Sequence, residues 1–286
     1  MKNLSFHCLI FLVYFLPLKN LSAQVEVIKS EELNRVKGAS GVYFYKDRLY
    51  IIPERCLEII EIDVKGHSKR SIPLKGMPST MTTLEGITIA NGYFLLIDEE
   101  KPRIYKVDMQ GNYEEEYRFN ADPEHKDNDG FEGIAFNADK KLLYVLHERA
   151  KVESSYQAII YTLSFEEDLS VLQTVDTLFL PLGNGDFRYT DICFKNNKFM
   201  AIKSKKGEYF INDFDFENGV ISKSGYSKRE ISKSISDFLM MNKDYSSNLE
   251  GITLDEKNNI YLISDNMDGG TCDRAVKKQT MLLRLK

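Results

Sequence analysis

Three glutamates recur in one local setting and carry the first chemical signal in this chain. Leu84-Glu85-Gly86-Ile87, Phe131-Glu132-Gly133-Ile134 and Leu249-Glu250-Gly251-Ile252 each place a carboxylate between a large apolar residue and a glycine. Two further segments fit the same frame with a hydroxyl at the acidic position: Ala39-Ser40-Gly41-Val42 and Tyr189-Thr190-Asp191-Ile192. If each segment opens a strand lining one central channel, Ser40, Glu85, Glu132, Thr190 and Glu250 form a ring of oxygens at its mouth. Carboxylates that close repel, at roughly 3 kcal/mol per pair for a separation of ~6 Å and an effective dielectric of ~20. Partial protonation or a bound cation relieves this. Oxygen donors without His or Cys suit a hard ion, Ca²⁺ before Mg²⁺, because a wide ring adjusts to it. The plainer use of the same residues is to cap backbone amides around a water-filled channel, and the motif alone does not separate the two.

The elements that must position this ring are strands. Each motif is followed by a polar turn (Lys46-Asp47, Asn91-Gly92, Ala138-Asp139-Lys140, Asn196-Asn197, Asp255 to Asn259) and then a hydrophobic run. These runs are Leu49 to Ile52, Tyr93 to Ile97, Leu142 to Leu146, Phe199 to Ile202 and Ile260 to Ile263, rich in β-branched and aromatic residues, which reads as repeated hairpins. The motif recurs at 40, 85, 132, 190 and 250, steps of 45, 47, 58 and 60 residues, each the length of one four-stranded propeller blade with insertions in the later two. The last blade is short of a strand. Val25-Glu26-Val27-Ile28 can supply it beside Met281 to Leu285, closing the ring and removing two open sheet edges. The expected fold is therefore all-β, a five-bladed propeller over residues 24–286, with six blades the alternative if residues 205–245 conceal one. A sandwich would not explain five copies of one motif. Helical spacing of apolar residues is confined to Ser232 to Met241, which disfavours an α/β fold.

The second strand of each hairpin returns to the mouth, so its end should surround the ring. Those positions read Glu54-Arg55, Glu99-Glu100-Lys101, Glu148-Arg149, Lys203-Ser204-Lys205 and Asp265-Asn266. Arg55, Lys101, Arg149 and Lys205 fall 15 to 17 residues after their ring members and predict a basic circle able to bind phosphate or carboxylate. His147 can face the same mouth or pack as a hydrogen-bonded core imidazole, and the core position is the one expected. Asp127-Asn128-Asp129-Gly130, which follows His125, and Asp265-Asn266-Met267-Asp268-Gly269 are only fragments of a calcium-loop pattern. Gly-x-Ser-x-Gly, HExxH, P-loop and Cys-x-x-Cys motifs are absent from the sequence.

Composition is that of a globular chain, 43% hydrophobic and 28% charged, with 17 Phe, 16 Tyr and no Trp. Residues 1–23 read as a secretory signal peptide: Lys2, an apolar run from Leu9 to Leu16 too short to span a bilayer, and Leu21-Ser22-Ala23 before the cut. Loss of Lys2 and Lys19 takes the net charge from −5 to −7, which offers no attraction to a nucleic acid polymer. Export to the periplasm or medium implies an oxidising compartment. Of the three cysteines left, Cys56 and Cys272 lie in matching loops of blades that a closed ring makes neighbours, so a bridge is expected; Cys193, between Ile192 and Phe194, should be buried and free.

The Glu-Gly-Ile segments, with Leu146-His147-Glu148-Arg149 and Asn248, resemble blades of the phytase-like esterase and SdiA-regulated propeller families over about residues 40–286. The ring order Ser40, Glu85, Glu132, Thr190, Glu250 also resembles that of the calcium-activated apyrases, propellers with a central calcium. That resemblance implies hydrolysis of nucleoside di- and triphosphates. The residues themselves suggest a hydrolase of phosphate esters or anhydrides: Ca²⁺ held by the ring, Glu132 or Glu250 as base, Arg149 and Arg55 stabilising developing charge, and Lys101 and Lys205 binding a small anionic substrate. The alternative is a non-catalytic binding or interaction propeller with structural calcium; the sequence points to no protein partner.

Overall fold

The computed structural model describes residues 25–121, 129–166, 171–183, 186–217, 220–221, 227–266, 272 and 276–286. The signal segment, His125, Asp127-Asn128 and Met267 to Gly269 lie outside the described residues.

Each motif copy opens an antiparallel group of strands. Blade one is Ala39–Tyr45, Arg48–Pro53, Glu58–Asp63 and Ser68–Pro73. Blade two is Leu84–Ala90, Tyr93–Asp98, Arg103–Val107 and Tyr113–Phe119. Blade three is Phe131–Asn137, Leu142–Val152, Ser155–Ser164 and Val171–Pro181. Blade four is Arg188–Lys195, Lys198–Lys205 and Glu208–Glu217, with Ser227–Glu230 outermost. Blade five is Asn248–Leu254, Ile260–Asp265 and Leu282–Leu285. The five opening strands pack side by side in chain order, and the fifth returns to the first, which closes the ring.

Val25–Ile28 completes blade five, pairing from Val25↔Leu285 to Ile28↔Leu282, so the start of the described chain clasps its end. The described residues between 205 and 245 build the outer part of blade four and the helix Ser232–Met241, leaving no sixth group among the described residues. Blades two and three are also joined at their outer edges, where Val171 and Leu172 run parallel to Arg118 and Phe119. No helix among the described residues is long and apolar enough to cross a membrane.

Local chemistry explains the hairpins. Lys46-Asp47 and Asn196-Asn197 have positive φ at both loop positions, as does Asn91-Gly92, the geometry of a tight turn that follows the twist of its strands. In blade five the Asp255 carboxylate accepts from the amides of Lys257 and Asn259 and shapes a longer turn. Between blades the apolar faces interlock. Leu249, Ile252, Leu262 and Leu283 of blade five pack with Ile202 and Ile211 of blade four, all essentially excluded from solvent. Cys56 and Cys272 form a disulfide between blades one and five across the closure, and Cys193 is buried and free.

Candidate functional site: the channel mouth

Every predicted ring residue sits at a β-bulge. The register between first and second strands slips between Ala39 and Gly41, Leu84 and Gly86, Phe131 and Gly133, Tyr189 and Asp191, and Leu249 and Gly251. The residue skipped in each case is Ser40, Glu85, Glu132, Thr190 or Glu250. A bulge frees one residue from the ladder and re-aims its side chain. All five are buried, none more than 7% exposed.

The glycine after the ring residue is required by the axis. A Cβ at Gly41 would lie 2.8 Å from the Glu85 carbonyl oxygen of the next blade, and one at Gly133 would lie 2.8 Å from the Ile192 amide nitrogen. Blade four, which has Asp191 instead, uses the side chain for the same junction. Its Oδ1 accepts from the Ile192 amide and its Oδ2 from the Ile252 amide, both at 2.8 Å, so the carboxylate stitches blade four to blade five.

The second strands add a second tier. Glu54, Glu99 and Glu148 donate their amides to Gly38, Thr83 and Gly130, each two residues before a ring member, and Ser204 and Asp265 pair with Arg188 and Asn248 at the same step. The upper tier is thus Glu54, Glu99, Glu148, Ser204 and Asp265. Blade four supplies the one hydroxyl of the upper tier, Ser204, and one of the two in the ring, Thr190, the other being Ser40 of blade one. It also supplies Arg188, whose Nη1 donates to Glu148 at 3.0 Å and whose Nη2 donates to Glu250 at 2.6 Å and Asn248 at 3.4 Å.

This divides the mouth. On one side Arg188 balances Glu148, Glu250 and, through space, Glu132. Burial still pushes the carboxyls of Glu148 and Glu250 up to about 7 despite the arginine, and lifts Glu132 well above the usual range with help from Glu148 and Glu85. Arg188 is held protonated by the same acids. Glu250 Oε1 is taken by Arg188, while its buried Oε2 finds no hydrogen-bond donor among the described residues.

On the other side carboxylate oxygens of Glu54, Glu85 and Glu99 lie within 4.8 Å of one another. Burial, then Glu99, Glu54 and Glu250, drive the Glu85 carboxyl well above its ordinary value, against a hydrogen bond from Ser40. An all-oxygen donor set of three acids, offset only by Arg55 at its edge, fits a hard divalent cation such as calcium.

The remaining predicted residues are distributed differently. Thr190 donates its hydroxyl to the Leu249 carbonyl, a contact between blades, and Ser40 donates weakly to the Gly38 carbonyl. Arg55 pairs with Glu54 at 2.6 Å and feels Glu99 and Glu85, which keeps it at the acidic cluster. Lys101 turns away to the Thr80 carbonyl. Arg149 is held by Asp129 at 2.6 Å and stacks over Tyr156. Lys205 lines a pocket between blades four and five together with Arg188. His147 is fully buried, edge-on to Phe131.

The sequence profile of the family described as phytase-like, with the esterase-like activity of phytase, matches residues 34–266. Among solved structures, the chain is similar to a glutaminyl cyclase of Myxococcus xanthus, at 9% identity and a TM-score of 0.57, covering 92% of this chain and 96% of that one. It is also similar to a PQQ-bound aldose sugar dehydrogenase of Streptomyces coelicolor, at 10% identity and a TM-score of 0.48, covering 92% and 98%. At 9% identity the likeness to the cyclase is one of fold.

Proposed function

The chain belongs to the phytase-like family, and from that premise we propose that it is an exported hydrolase of phosphate esters or anhydrides acting at the channel mouth with a calcium ion. The observation that carries this reading is Glu250: one carboxylate oxygen fixed by Arg188, the other buried at the mouth with no donor among the described residues. A carboxyl near 7 in that position is suited to general-base work. Glu132, lifted well above the usual carboxyl range by burial and by Glu148, is suited to hold a proton.

In the proposed step a water oxygen bonds to phosphorus as the bond to the leaving oxygen breaks. The water's proton passes to Glu250, and Glu132 returns a proton to the leaving group. Arg188 holds Glu250 in place and offers positive charge beside the phosphoryl oxygens. Arg55, at the edge of the acidic cluster, is the second arginine in reach of an anion there. Glu54, Glu85 and Glu99, with Ser40 beside them, would hold the calcium, which supplies charge for orienting and polarising a phosphoryl group. Replacing Glu132 or Glu250 by Gln should abolish turnover of a phosphate-ester panel while leaving the melting curve cooperative. Unchanged turnover in both variants would overturn the reading.

One observation favours a non-catalytic propeller with structural calcium: the Thr190 hydroxyl is spent on a contact between blades, so part of the ring is architecture. Under that reading the panel shows no turnover at all, while calcium still raises stability.

A further inference from the structure

Beside the acidic mouth the charge reverses. A pocket of about 400 Å³ opens between blades four and five, lined by Arg188, Lys205, Lys206 and Lys278 against the two acids Asp186 and Asp265. This surplus of cations stands out on a chain of net charge −5. The lysines are not consumed locally. The one salt bridge of Lys205 among the described residues is a long one to Glu208, at 3.9 Å, its ammonium otherwise lying over the Phe187 ring, and neither Lys206 nor Lys278 makes a salt bridge among the described residues. Arg188 spends Nη1 and Nη2 on Glu148, Glu250 and Asn248, while Nε has no partner among the described residues. The hydroxyls of Ser204, Ser246 and Ser247 also line the space and can donate to an anion.

We propose that this pocket is an oxyanion subsite that takes a tetrahedral phosphate group, with Arg188 as the residue shared between it and the channel. Several cations around a small polar space favour a compact dianion over a monocarboxylate. The volume suits one phosphate and its substituent, not a polymer. The inference rests on the hydrolase reading only for what it adds to it: a substrate phosphate enters from the blade four and five side, with its scissile bond toward Glu250. The charge pattern itself does not depend on turnover.

The probe is inorganic phosphate, titrated calorimetrically into the calcium-free protein at low ionic strength, with sulfate and acetate as comparisons. Phosphate should bind and acetate should not. Lys205→Ala and Lys278→Ala should each weaken phosphate about tenfold; the melting curve of Lys278→Ala should match the parent, and that of Lys205→Ala should stay cooperative with at most a small shift from the lost contact with Phe187. No phosphate binding by the parent protein, or equal binding by parent and double variant, overturns the proposal. If phosphate binds here but no ester is hydrolysed, the subsite stands and the hydrolase reading fails. If esters are hydrolysed without competitive inhibition by phosphate at this site, the hydrolase reading stands and the subsite is overturned as the seat of the substrate's phosphate.

Discussion

Arg188→Met is the most informative single perturbation. It keeps an apolar stem but removes the charge that faces Glu148, Glu250 and Glu132, all at most 6% exposed. Removing one partner of a buried ion pair costs about 3–5 kcal/mol. A third of the Arg188 side chain is exposed, so the lower end, about 3 kcal/mol, applies. For a domain of this size that corresponds to a fall in Tm of about 6–12 °C. The sign with pH is fixed by the carboxyls. Glu148 and Glu250 sit near 7, so at pH 8 both carry charge that Arg188 offsets, whereas at pH 5 both are protonated and there is little to offset. Melting curves of parent and variant by circular dichroism, in chelator at pH 8 and pH 5, should therefore show a large gap at pH 8 and a small one at pH 5. An equal gap at both would mean that the arginine acts through packing and that the charge argument is wrong.

Three further outcomes follow from the same structure. In the calcium-free parent protein, Glu148 and Glu250, raised by burial to about 7, add stability that is complete below about pH 4.5 and lost as pH rises through 7; a Tm at pH 8 equal to that at pH 5.5 would contradict this. Opposing groups include Asp63, Asp108 and Asp255, lowered by hydrogen bonds from their own turns or from neighbouring side chains; they lose their contribution only as pH falls below their ordinary range, so stability should peak near pH 5. The Cys56–Cys272 bridge closes a sequence separation of 216 residues; chain entropy puts its effect at up to about 5 kcal/mol, so Cys56→Ser should lower the Tm by about 10 °C, and a shift under about 2 °C would show that the N-terminal strand alone secures the closure. Asp191→Gly restores the repeated motif yet strips acceptors from the Ile192 and Ile252 amides, and chemical denaturation should register a loss of about 3 kcal/mol; a neutral result would mean water replaces the carboxylate.

Much of this was legible in the sequence because it is periodic. The motif spacing gave the five hairpins, the strand at Val25–Ile28 and the neighbouring blades that bring Cys56 to Cys272. The phase of the second-strand ends was equally readable, which is why Glu54, Glu99 and Glu148 emerge at one level. Two kinds of fact were not. A bulge is a one-residue slip in register, and nothing in Leu84-Glu85-Gly86 announces that Glu85 has left the ladder. The direction of a long cation depends on whichever acid it meets. Lys101 and Arg149 occupy the expected positions, but a loop carbonyl claims one and Asp129 claims the other. Arg188 was missed because it occupies a position held by Gly38, Thr83, Gly130 and Asn248 in the other blades; its signal is the break in that pattern. Blade four departs from the repeat three times, at Arg188, Thr190 and Asp191, and those departures gather where the charge of the mouth changes.

If a divalent cation completes the acidic mouth, the Tm of the chelator-stripped protein at pH 8 should respond to a calcium titration, with magnesium as control. Binding to the native state alone stabilises by about 2.7 kcal/mol at a hundredfold excess over Kd, so a saturable rise of about 5–10 °C is expected, with a much smaller response to magnesium. Glu85→Gln, at the acidic cluster of Glu54, Glu85 and Glu99, should flatten the curve. A parent protein that melts at the same temperature with and without calcium would contradict the account.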